Sequence, residues 1–143
     1  MRVVILIFLS GCTSAYMTRG DLTGNSEETN TWLANNAISQ LTEIYPPAST
    51  KFNIKQVSTD YFGLALAKGL REQGYAVNEF STKDNNERNR GISLEYVIDS
   101  IKGGEGEERL YHLTLMIGKK VMTRPYLLKN KGMVPAGYWV NKE

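Results

Sequence analysis

Cysteine and histidine are almost absent from this chain of 143 residues: each occurs once, as Cys12 and His112. One cysteine excludes an internal disulfide, and the pair together cannot supply a Cys/His zinc site. No apolar run approaches the roughly 18 residues a membrane-spanning helix needs. No serine sits in a Gly-x-Ser-x-Gly elbow, and internal repeats and heptads are missing. With 41% hydrophobic and 22% charged residues, the composition is ordinary for a globular protein and argues against disorder, and the length suits one domain that can bury a core without covalent staples.

The most informative stretch lies at the N-terminus. Arg2 precedes an apolar run over residues 3–9 that is too short to span a bilayer, and Leu9-Ser10-Gly11-Cys12 follows. This pattern resembles a bacterial lipoprotein signal with its lipobox: a basic start, an apolar core, and small residues that fit a signal peptidase cleft. Cleavage after Gly11 would leave Cys12 as the new N-terminus, its sulfur carrying a diacylglycerol and its amine free for a third chain. The competing reading of residues 3–8 is a buried first strand, since they are rich in β-branched side chains. A single acyl chain binds membranes marginally and two bind stably, so the lipid reading predicts a permanently anchored protein with its domain outside the cytoplasm. Lipoproteins of this kind go to the outer membrane unless Asp follows the cysteine, and here the next residue is Thr13.

Residues 1–11 are thus read as the signal, 12–29 as the lipidated cysteine and a tether, and 30–143 as the globular domain. The tether is rich in Thr, Ser and Gly and has no apolar period. If flexible, it reaches roughly 20–25 Å; alternatively Tyr16, Met17 and Leu22 become ordered against a partner chain. The spacing of Leu33, Ala37, Leu41 and Ile44 predicts a helix over 31–45, stopped by Pro46-Pro47. Phe52 and Ile54 mark a short strand. Ser58-Thr59-Asp60 caps a second helix carrying Phe62, Leu66, Gly69 and Leu70, and Gly74 ends it. Strands are expected over 75–80, over 92–98, around Leu113 to Ile117, over 121–128, and as one last strand over 133–140. The segments 81–91 and 102–108 read as loops. Pro125 and Pro135, lacking amide donors, belong at edge or bulge positions of the terminal hairpin. The order helix, strand, helix and then strands favours an α+β fold: two helices packed on one face of a mostly antiparallel sheet, in a single small domain. Leu33, Leu41, Phe62, Leu66, Ile92, Leu94, Leu113 and Leu115 are its expected core.

Charge is segregated along the chain. Residues 13–108 hold fourteen acids and nine bases, whereas Arg109, Lys119, Lys120, Arg124, Lys129, Lys131 and Lys142 face only Glu143 in the last segment. Such a basic end either attracts an anionic partner or guards exposed sheet edges against self-pairing. The search for catalytic chemistry is otherwise negative. His112 is expected mid-strand, opposite Leu113 and Leu115, as a surface or pocket-edge residue. Glu105, Glu107 and Glu108 sit among glycines as a solvated loop rather than as rigid, desolvated carboxylates, and no helix follows Gly103-Gly104-Glu105-Gly106 to complete a phosphate cradle. Tyr111, Tyr126, Tyr138 and Trp139 interleave with lysines, yet aromatics in strands are more often core than a base-stacking platform. Direct nucleic-acid binding is therefore not expected, nor is any cofactor or metal. Tyr138-Trp139 stands out differently: in one continuous strand these residues would point to opposite faces, leaving one exposed as a candidate partner contact.

Several blocks together carry a resemblance. The lipobox, Leu41-Thr42-Glu43-Ile44-Tyr45-Pro46-Pro47-Ala48, Phe62-Gly63-Leu64-Ala65-Leu66, Leu110-Tyr111-His112-Leu113-Thr114-Leu115 and Pro135-Ala136-Gly137-Tyr138-Trp139-Val140 resemble the TrbH conjugal transfer lipoproteins. The resemblance implies a non-enzymatic anchor or scaffold in a plasmid-encoded type IV secretion system. It would bind larger periplasmic subunits similar to TrbG and TrbI, in many copies around a ring, with no catalytic residue to carry over. The alternative is a stand-alone outer-membrane lipoprotein with a ligand-binding or envelope-adaptor domain.

Overall fold

A computed structural model describes residues 26–81, 90–101, 108–130 and 132–142. Helix α1 (Glu27–Ile44) begins earlier than its apolar period suggests. The Ser26 hydroxyl accepts from the Thr29 amide at 3.3 Å, and Glu27 and Glu28 follow in the first turn, where carboxylates suit the positive end of the helix dipole. Residues 27–29, assigned above to the tether, are therefore helical. A short 3-10 turn, Pro47–Ser49, leads into β1 (Lys51–Ile54). Helix α2 (Tyr61–Glu72) is capped by the Asp60 carboxylate, which accepts from the Gly63 amide at 2.9 Å. Gly74, at φ 93°, lets the chain leave the helix through the left-handed region and enter β2 (Ala76–Asn78).

The remaining strands are β3 (Ile92–Ile101), β4 (Leu110–Ile117), β5 (Lys120–Lys129), β6 (Gly132–Pro135) and β7 (Val140–Lys142). They form one seven-stranded sheet in the order β2-β1-β3-β4-β5-β6, with β7 also on β5. The pairings of β1 with β2 and with β3 are parallel; all others are antiparallel. The fold is the α+β arrangement expected from the element order. The extent of β2 is shorter than the 75–80 expectation at both ends; Tyr75, just before it, is buried, and its hydroxyl donates to the Tyr45 carbonyl at 2.6 Å.

Period two divides the sheet cleanly. Leu94, Tyr96 and Ile98 of β3 pair with Ile117, Leu115 and Leu113 of β4, and all six are buried on the helix-bearing face. Leu33, Leu41, Phe62, Leu66 and Leu70 cover them from the two helices. Of the expected core only Ile92 is part-exposed, packing at the margin. Asn53, which alternates with Phe52 and Ile54, is also buried because β1 lies between two strands; its amide oxygen accepts from the Asn78 amide at 2.9 Å.

Two buried tyrosines fasten the layers together. The Tyr96 hydroxyl donates to the Asp60 carboxylate at 2.6 Å, tying β3 to the cap of α2, and the Tyr96 amide donates to the Gln56 side chain at 2.9 Å, just past the end of β1. The Tyr126 hydroxyl donates to the Asn36 amide oxygen on α1, which also accepts from the Arg124 guanidinium at 3.1 Å. Burial pushes both phenols well above their ordinary value near 10; the Asp60 bond adds to the rise at Tyr96, while the Arg124 cation partly offsets it at Tyr126. The native state thus holds these protons more tightly than the unfolded chain does. Stability from this source is complete below pH 10 and is lost as pH rises above it. Thermal melts between pH 8 and 11.5 are expected to fall steeply above pH 10 and less steeply for Tyr96→Phe and Tyr126→Phe. Equal alkaline slopes in all three proteins would contradict this.

Candidate partner-binding surface

The last strand expected over 133–140 is two strands, β6 and β7, both paired to β5 and separated by residues 136–139. Pro125 explains the break. Its carbonyl points toward this edge, where it accepts from the Ala136 amide at 2.9 Å, so the N–H it lacks is missing on the same side and the ladder cannot run through. Gly137 settles against the proline ring so closely that an added Cβ would lie 3.0 Å from Pro125 Cγ. Pro125 thus sits on the interior strand β5, facing the gap between β6 and β7 rather than lying at an edge, while Pro135 ends the edge strand β6.

Tyr138 and Trp139 consequently do not alternate across a continuous strand, which corrects the sequence expectation. Trp139 is half-buried and packs against the core. Tyr138 is 90% exposed, with Val140 60% exposed beyond it. The loop beneath is bolted down: the Arg124 guanidinium donates to the Gly137 carbonyl at 2.9 Å and also lies 5.7 Å from the centre of the Tyr126 ring. Trp32 of α1 meets that ring edge-on at 6.0 Å. A large amphipathic side chain on a rigid support loses little entropy on contact, which is what a partner-binding residue requires.

The Asn36, Arg124 and Tyr126 network was not legible in the sequence. Asn36 lies mid-helix without a pattern of its own, and Arg124 reads only as one base of the basic C-terminal segment. The other candidates, Cys12, Tyr16, Met17 and Leu22, lie outside the described residues, as do Glu105 and Glu107.

Among the described residues no three His, Cys, Asp or Glu side chains converge so as to hold a metal ion. The His112 Nδ1 lies 3.2 Å from the Asp99 carboxylate on the open sheet face, with both side chains about a third exposed. Glu108 lies 3.7 Å from the Lys129 ammonium as an exposed ion pair. No described helix is long and apolar enough to cross a membrane.

Comparison with family models matches residues 13–143 to the conjugal transfer protein TrbH. The chain belongs to the TrbH family. Conjugal transfer is thus the process in which this protein takes part, and the match covers the described domain together with the segment preceding it. No curated protein and no solved structure matches the chain.

Proposed function

We propose that this TrbH-family protein is a non-enzymatic, lipid-anchored outer-membrane subunit of a plasmid conjugative type IV secretion channel. Diacylglycerol on Cys12 holds it, and its domain faces the periplasm as a scaffold for the core complex. Its partners would be larger periplasmic subunits similar to TrbG and TrbI, engaged by many copies around a ring. The family match carries the conjugation part of this reading. The lipobox supports the anchor, and the bolted loop presenting Tyr138 supports a role in holding a partner.

The half-buried Trp139 is unsuited to a test, because its loss would disturb packing; Tyr138 is suited. Tyr138→Ala is expected to leave the melting temperature within about 2 °C of wild type, since exposed substitutions typically change stability by less than about 0.5 kcal/mol. Plasmid transfer should fall, with the protein still in the membrane fraction but no longer co-purifying with channel subunits. Normal co-purification would remove Tyr138 from the interface.

A further inference from the structure

The outer side of the helix layer carries a furrow. Helices α1 and α2 run side by side in the same sense: Thr31 near the start of α1 shares a hollow of about 290 Å³ with Tyr61 and Leu64 of α2, while Thr42 and Glu43 at its end share one of about 550 Å³ with Glu72 and Gln73. Asn35, Gly69 and Glu72 line both hollows, so the two are continuous. A third, of about 610 Å³, lies beside Trp32 along the first turns of α1 and shares Thr31 and Asn35 with the furrow. Gly69 lies in its floor. Glycine mid-helix costs roughly 1 kcal/mol relative to alanine, and the tip of Ile38 occupies the place a Cβ would need, 2.4 Å from it.

The rim is apolar at one end and acidic at the other. Tyr61, Leu64 and Trp32 are 56%, 51% and 39% exposed, large apolar side chains standing on helices rather than on loops. Glu27 and Glu28 suit the α1 N-terminus. Glu43 does not suit its position: it lies in the last turn of α1, where unpaired carbonyls already present negative charge, and that turn holds no basic residue. Glu72 ends α2 beside it. Among the described residues Lys68 is the one cation lining the furrow, 3.9 Å from Glu72, and Arg71 is turned away onto Glu79 at 2.8 Å. Two helix C-termini and two carboxylates therefore converge at one end, a potential that attracts cations.

We propose that this furrow seats a basic amphipathic helix of a partner subunit, its apolar face on Trp32, Tyr61 and Leu64 and a Lys or Arg against Glu43 and Glu72. An amphipathic helix laid with its apolar face in a groove is one of the recurring ways such a surface is covered. α1, at 18 residues, offers a track of about 27 Å. A second copy of this chain is the poorer occupant: outside Lys68 and Arg71, its described bases lie on strands, turns and loops, with Arg124 and Lys129 already engaged. The inference rests on the reading of the protein as a partner-holding subunit, and it assigns that partner's chemistry at a surface separate from Tyr138.

The test uses the full chain in donor cells with the complete transfer system. A photo-cross-linking amino acid replaces Ser39, an exposed residue of the furrow, and in a parallel strain Tyr138. The expected Ser39 adduct maps by peptide sequencing to a Lys/Arg-rich amphipathic segment of a channel subunit. Glu43→Lys with Glu72→Lys should reduce it at least about tenfold, as expected for reversing two ion pairs. Glu43→Lys alone should also raise the melting temperature of the purified protein by about 2–5 °C, because it relieves repulsion at the helix end. A carboxylate retained for stability would give the opposite sign and would overturn the proposal. So would a Ser39 adduct with a second copy, an adduct with an acidic or neutral segment, or no Ser39 adduct while Tyr138 still gives one. That last outcome would leave the scaffold reading standing; loss of both adducts with unimpaired transfer would remove the reading itself.

Discussion

Replacing Phe62 by alanine is expected to lower the melting temperature by roughly 10–25 °C. Phe62 lies on the inner face of α2, fully buried, with its ring 4.8 Å from that of Tyr96. Truncating a buried Phe costs about 3–5 kcal/mol through lost apolar burial and the cavity left behind. For a domain of this size each kcal/mol moves the midpoint by several degrees, and total stability is only about 5–15 kcal/mol. The position is doubly exposed to damage, because the Tyr96 hydroxyl bonds to Asp60, the cap of the same helix. Leu66→Ala, one turn further along the same buried face, should cost about 2–5 kcal/mol for the same reason. A chelator should leave the wild-type melt unchanged; a chelator-sensitive melt, or a Phe62→Ala protein as stable as wild type, would contradict a core that rests chiefly on apolar burial and needs no metal.

The second large effect is expected from Cys12→Ser. Membrane affinity from acyl chains grows by about 0.8 kcal/mol per buried CH₂, so two chains anchor a protein stably where one holds it only marginally. Radioactive palmitate should label wild type and leave the variant unlabelled, and the variant should leave the membrane fraction. An anchor of this kind would keep the domain at a high local concentration beside its partners. Its loss should therefore lower plasmid transfer by at least about tenfold, even though the domain's own stability is unaltered. Equal labelling of both proteins would remove the lipid anchor from the account.

Such effects differ in how far they were legible in the sequence. The helix-facing strand residues declared themselves through period two: Leu94, Tyr96 and Ile98 alternate with Glu95, Val97 and Asp99 because one face of the sheet is covered by helices and the other is not. Helix α2 was legible through Asp60 and Gly74, residues whose chemistry marks ends. The start of α1 was missed because Ser26, Glu27 and Glu28 carry no apolar period; only their capping chemistry marks the boundary. The terminal strand was drawn as one because Met133 to Val140 is apolar enough to continue. The interruption depends on Pro125, a residue on a neighbouring strand, and a linear pattern does not show which side of that strand its missing N–H faces. The same limit hid the Asn36, Arg124 and Tyr126 network, whose partners on α1 and β5 lie far apart along the chain. The furrow between α1 and α2 depends on two helices running side by side, and no single stretch of sequence encodes that.

The central claim is that this protein works as a required, anchored subunit of a conjugative channel. Its most direct test is the transfer frequency from donors whose plasmid carries an in-frame deletion of this gene, with and without wild-type protein supplied in trans. Transfer is predicted to fall to background in the deletion and to return with the wild-type protein. Transfer at the wild-type frequency from the deletion strain would contradict the account and favour a stand-alone envelope lipoprotein.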